Sequence, residues 1–128
     1  MRMERPVSPD TPFPYSADTE GVVVRVRPDF VEEESSPTDN RFLWAYRIRI
    51  ENRGARTLQL KTRRWRITDC EGRVQEVAGP GVVGQQPVLA PGDSFEYASG
   101  VPLSVPSGVM EGAYRLEDDA GRALEVRV

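Results

Sequence analysis

Histidine is absent from the 128 residues. That removes the commonest general acid–base side chain and the commonest transition-metal ligand together. Every triad built on imidazole is excluded. One cysteine, Cys70, can form neither an internal disulfide nor a cysteine-rich zinc site. With no resolving partner, it reads as a small buried or half-buried residue beside a turn rather than a redox centre. No apolar run approaches the length of a membrane-spanning helix, and the N-terminus lacks a signal-peptide pattern. The chain therefore reads as a soluble cytoplasmic protein. Helical patterning is missing too: glycine or proline interrupts every window of helical length.

What is present is charge, unevenly spread. The net charge is −3, yet residues 41–73 carry ten basic residues against three acids, while residues 1–40 and 74–128 are each acidic. Arginine supplies sixteen of the seventeen cations. Acidic runs at Glu32-Glu33-Glu34 and Asp118-Asp119 offer loose magnesium ligands. Neighbouring strand residues point to opposite faces, so these read as solvated acids, and no metal site or cofactor is expected.

Pro6, Pro9, Pro12 and Pro14 forbid a helix over residues 1–19 and predict a flexible, extended arm, anchored if at all by Phe13 or Tyr15. A single domain is expected from residue 20 to residue 128. From Val22 onward the period is two. Val22, Val24 and Val26 share a face, as do Phe42, Trp44, Tyr46, Ile48 and Ile50. Leu58 and Trp65 have opposite parity, which predicts a bulge or break between Lys61 and Arg64. Phe95 and Tyr97, then Met110, Gly112, Tyr114 and Leu116, continue the alternation. About seven or more short, mostly antiparallel strands with regular turns predict an all-β sandwich.

Two surfaces stand out as candidate sites. Gly79, Gly81 and Gly84 have the G-x-G-x-x-G spacing of a pyrophosphate-binding loop. That mechanism needs a helix opening directly after the motif, and Val82, Val83, Pro87 and Pro91 oppose one, so no dinucleotide fold is expected. The glycines then either turn backbone amides toward an anion or permit a tight crossing, with Val82, Val83, Val88 and Leu89 covering the open end of the core. The second surface is basic. Arg47 and Arg49 point away from the apolar face of their strand, and Arg64 and Arg66 do so on the next. If those strands pair, four guanidiniums share one sheet face suited to phosphate or an acidic partner. Nucleic acid is disfavoured, because the aromatic residues face inward.

The stretches "ESSPTDNRFLWAYRIRIENRG" (34–54), "LKTRRWRITDCEGRVQEVAGPGVVGQQPVLAPGDSFEYASG" (60–100) and "GVMEGAYRLEDDAG" (108–121) together resemble the ApaG domain. The resemblance implies an immunoglobulin- or fibronectin type III-like sandwich. It implies a bacterial protein associated with cobalt and magnesium resistance, and an interaction module in eukaryotic relatives. It also implies a pyrophosphate site at Gly79, Gly81 and Gly84, and it brings no catalytic residues. The expected function is a non-enzymatic adaptor binding an unknown protein partner. The alternative is a sensor that binds a nucleotide polyphosphate at the glycine loop, with or without a divalent cation.

Overall fold

A computed structural model describes residues 2–3, 13 and 15–128. They form two antiparallel sheets packed face to face. The first sheet contains β2 (Tyr15–Thr19), β3 (Val22–Phe30), β4 (Phe42–Asn52) and β8 (Ser94–Leu103), in that spatial order. The second is built around β5 (Leu58–Asp69) and β9 (Gly108–Asp118). β6 (Val74–Pro80) and β7 (Val88–Leu89) share the outer edge of β5, and β1 (Arg2–Met3) and β10 (Ala123–Arg127) share that of β9. The prolines at 6, 9, 12 and 14 lie outside the described residues. Within the expected arm, Tyr15 belongs to β2 and packs against the core.

Period-two patterning produces the core. Val22, Val24 and Val26 of β3 and Trp44, Ile48 and Ile50 of β4 are fully buried from one side. Leu60, Trp65, Met110, Tyr114 and Leu116 meet them from the other sheet. Burying a side chain of this size stabilises the fold by roughly 1.5–3 kcal/mol. The parity break is real: the register of β5 against β9 shifts between Leu60 and Thr62, which places the bulge at Lys61. One extra residue there lets Leu58 and Leu60 point inward on one side of the bulge and Trp65 and Ile67 on the other. It also turns Arg63 toward the inner face, beside Tyr114 in the register.

β4 and β5 are consecutive but do not pair. Both edges of β4 are taken by β3 and β8, and both edges of β5 by β9 and the β6–β7 segment. The chain crosses between sheets immediately after Asn52, whose side chain is buried. Its Nδ2 donates to the carbonyls of Arg56 at 2.7 Å and Leu89 at 2.8 Å, while Oδ1 accepts from Gly54 N–H at 3.0 Å. All of the amide's bonds are local to the crossing, so the sharp change of direction leaves few orphaned polar groups. Replacing Asn52 with alanine strands those partners and is expected to cost about 3 kcal/mol. Urea unfolding of the two proteins at neutral pH measures the difference.

Candidate functional site

The separation of β4 and β5 corrects the expected basic surface. Arg47 and Arg49 lie on the outer face of the first sheet, and Arg64 and Arg66 lie on the outer face of the second. Each also has an acid beside it. Arg47 Nε is 3.5 Å from Glu96, Arg49 Nε 3.1 Å from Glu51, Arg64 Nη2 3.7 Å from Glu125 and Arg66 Nε 3.4 Å from Glu76. Glu51, largely buried, also takes Arg25 and Arg53, each at 3.2 Å. These pairs neutralise charge more than they stabilise.

The glycine motif sits where β6 leaves the second sheet. Val82 and Gln85 exchange backbone hydrogen bonds of 2.8 and 2.9 Å around a two-residue turn. Val83 and Gly84 occupy that turn with φ of 43° and 78°, the mirror-image turn geometry of tight hairpins. Gly81 has φ of 61°, and a Cβ there would overlap the Gln85 carbonyl. The loop is tied to the bulge: the Lys61 carbonyl accepts Gly81 N–H at 2.8 Å and Gln86 Nε2 at 3.0 Å. The amides of Gly81, Val82 and Gln85 are thus engaged within the protein. Of the valines expected to cap the core, Val82 is buried with Leu89, but Val83 and Val88 are exposed. Val83 combines exposure with a positive φ that β-branched residues rarely adopt.

Arg63 is a residue the sequence reading passed over. It packs beneath this loop and donates Nη1 to the carbonyls of Gly81 at 2.8 Å and Pro80 at 3.2 Å. Gly79 lies directly over it, where a Cβ would stand 3.5 Å from Nη1. No carboxylate pairs with Arg63 among the described residues. Only the inward turn after Lys61 could have revealed it, through the same parity shift that predicted the bulge.

Deeper in the same end of the sandwich, the hydroxyls of Tyr97 and Tyr114 hydrogen-bond to each other across the two sheets. Trp65 stands edge-on to Tyr114, with ring centres 5.8 Å apart, and Tyr46 packs on Trp65 at 6.2 Å. The Trp65 indole N–H is buried without a hydrogen-bond partner among the described residues. Burial, above all, pushes the Tyr97 phenol up to about 12 and Tyr114 well above its ordinary value. In the β9–β10 turn, Asp118 falls below the ordinary carboxylate value through the Arg122 backbone N–H first, then Arg56, 2.7 Å away. Burial raises Asp69, but the Arg73 and Glu71 amides and the Arg73 guanidinium outweigh it and hold it low. Cys70 is exposed, contrary to the buried or half-buried position expected for it, because it follows the last residue of β5 into the turn. Among the described residues, no three acids or thiols converge as a metal site, and no helix is long and apolar enough to cross a membrane.

The most apolar part of the exposed surface runs along one edge. Val74 and Val77 on β6, Val83 at the loop tip and Val88 on β7 are exposed by 50%, 40%, 53% and 59%. All four follow the outer border of β5. Val109, on the outer face of the same sheet, is the other exposed large hydrophobic residue among those described.

Two antiparallel sheets closing on an aromatic core, with an apolar edge and a braced glycine loop, define a β-sandwich domain. The chain belongs to the ApaG family, as the match of residues 32–118 to the ApaG domain shows. It is 56% identical to Protein ApaG of Paramagnetospirillum magneticum and 55% identical to Protein ApaG of Rhodospirillum centenum. Each comparison covers 89% of this chain and 88% of the relative. The crystal structure of an ApaA protein from Bordetella pertussis, 48% identical, superposes with a TM-score of 0.82 over 84% of this chain and 87% of that one.

Two outcomes follow from the loop and the tyrosine pair. Gly81→Ala must displace the Gln85 carbonyl and is expected to lower stability by about 2 kcal/mol, whereas Val83→Asn relieves strain and is expected to raise it by about 1 kcal/mol. Thermal denaturation of both variants checks the opposite signs. Tyr97, with a folded pKa above the unfolded value of 10, contributes stability that is full below pH 10 and lost as pH rises towards 12. Tyr97→Phe should flatten that alkaline decline in denaturant titrations made at successive pH values.

Proposed function

We propose that this ApaG-family chain is a non-catalytic binding module that engages another protein along the β6–loop–β7 edge of its second sheet. The observation that carries this reading is the exposure of Val74, Val77, Val83 and Val88 along one border with no partner strand among the described residues, Val74 and Val77 facing opposite sides of β6. Exposed apolar side chains gathered along one edge are costly in water and mark interaction sites. The strain kept at Val83 supports the same reading, since a polar residue would suit that turn better. Catalysis fits poorly. Tyr97 and Tyr114 move up and Asp69 and Asp118 move down, all away from neutrality, the reverse of the tuning that proton transfer at neutral pH requires. A link to cobalt or magnesium resistance would act through the partner.

A second reading is favoured by one feature, the Arg63 guanidinium beside Gly79 and Gly81, without a carboxylate partner among the described residues. On that reading, Gly79, Gly81, Gly84 and Arg63 receive a nucleotide polyphosphate, with or without a divalent cation.

The two are separated by mutation and titration. Val77→Glu should reduce capture of a partner from bacterial extract by about tenfold, while Arg47→Glu with Arg64→Glu leaves capture unchanged and circular dichroism shows each fold intact. Equal capture by Val77→Glu and the unmodified protein would remove the edge from consideration. Saturable amide shifts at Gly79, Gly81 and Gly84 on adding diadenosine tetraphosphate, with or without magnesium, would favour the second reading instead.

A further inference from the structure

The backbone of β6 narrows what its edge can accept. In an antiparallel ladder, facing residues alternate between those that exchange hydrogen bonds and those that do not. Gly81 N–H reaches the Lys61 carbonyl at 2.8 Å, and Asp69 N–H reaches the Arg73 carbonyl at 2.9 Å. With the regular register between them, Gly79, Val77 and Gln75 direct their backbone groups toward β5. Val74, Glu76 and Ala78 therefore direct theirs outward. β6 has no lysine and no bulge to blunt that edge, and Pro80 ends it. The β8 edge of the other sheet differs. β8 presents no exposed large apolar side chain and carries Pro102.

The side chains beside β6 set the chemistry of an added strand. Across the outer face, one row of the second sheet reads Glu76, Arg66, Glu111, alternating in sign and ending at the edge on an exposed carboxylate. A strand laid against β6 would place its next residue opposite Glu76, where a cation continues the alternation. Its residues opposite Val74 and Val77 would cover the two exposed valines.

A second copy of this chain does not meet these demands. Antiparallel self-pairing must set Val74, Glu76 and Ala78 against one another. Centred on Glu76, it opposes two carboxylates. Centred on Gln75, it places Val77 against Arg73 and Val74 against Glu76. Centred on Val77, it sets Val74 against Pro80, which has no N–H, and leaves Glu76 facing Ala78.

We infer that β6 accepts an extended segment of a different protein as an added antiparallel strand, with the order apolar, basic, any residue, apolar opposite Val77, Glu76, Gln75 and Val74. This rests on the edge-binding reading and names the class of partner for it. Main-chain bonds to Val74, Glu76 and Ala78 supply affinity, and the cation opposite Glu76 supplies specificity.

The test uses the labelled full chain and two capped peptides, Thr-Val-Arg-Thr-Val-Thr and the same sequence with glutamate in place of arginine. The arginine peptide at millimolar concentration should slow hydrogen exchange at the Val74, Glu76 and Ala78 amides. It should bind about fivefold more tightly than the glutamate peptide, and Glu76→Arg should reverse that preference. Protection elsewhere, equal binding of both peptides, or no protection at millimolar peptide would overturn the inference. So would protection of the same amides without peptide, accompanied by concentration-dependent dimers in sedimentation. If the peptides fail while Val77→Glu still reduces partner capture, the edge remains the interface and only the strand-addition chemistry falls.

Discussion

The buried Asn52 amide decides which strands can meet. Its bonds to Arg56, Leu89 and Gly54 hold the chain as it leaves the first sheet and enters the second. Because the crossing is fixed there, β4 and β5 present their apolar faces to one another across the core rather than lying side by side. The bond to the Leu89 carbonyl reaches further. It holds the end of β7 near the start of β5, so the loop between β6 and β7 must close back on the same border. A carbonyl or amide left without its partner at this depth would cost more than the net value of the bond itself. The β7 part of the exposed edge thus depends on a side chain buried beside the start of β5.

Charge follows from the same partition. The arginine-rich middle of the sequence forms the facing strands of two sheets, so its cations leave on opposite outer surfaces. Each surface then meets acids from neighbouring strands: Glu96 from β8 on one, Glu125 from β10 and Glu76 from β6 on the other. Glu51 gathers Arg25, Arg49 and Arg53 around one carboxylate. A strongly basic segment becomes a nearly neutral surface. Arg63 escapes this because the Lys61 bulge turns it inward, where it braces the glycine loop through carbonyls instead of acids.

The loop and the edge form one mechanical unit. Lys61 supplies both the register shift and the carbonyl that holds Gly81 and Gln86. Gly81 serves a close approach to Gln85, and Gly84 serves a left-handed turn position, so two of the three motif glycines have structural work independent of any ligand. What that work presents to solvent is apolar: Val83 at the tip and Val74, Val77 and Val88 along the border. An ordinary sandwich would blunt such an edge with lysine or a bulge. Here the ladder on β6 is regular, and the outward backbone groups of Val74, Glu76 and Ala78 have no partner strand among the described residues, which is the ground for the binding role we propose.

Alternation along Val22–Val26, Phe42–Ile50 and Met110–Leu116 was enough to determine an all-β sandwich and most of its core, because side-chain direction in a strand is fixed by parity alone. Parity also called for a bulge, which the register sets at Lys61, at the start of the expected interval. Parity says nothing about which strand lies beside which. That is settled by burial of two faces against each other and by satisfaction of the groups at the crossing, both summed over residues far apart in the chain. For this reason the four arginines, adjacent in the sequence argument, lie on opposite surfaces of the molecule. Cys70, Val83 and Val88 likewise took their exposure from the position of the sheet border. The hydroxyl pair of Tyr97 and Tyr114, the inward turn of Arg63 and the exposure of the valines along one edge were decided only when β6, β7, β8 and β9 found their neighbours.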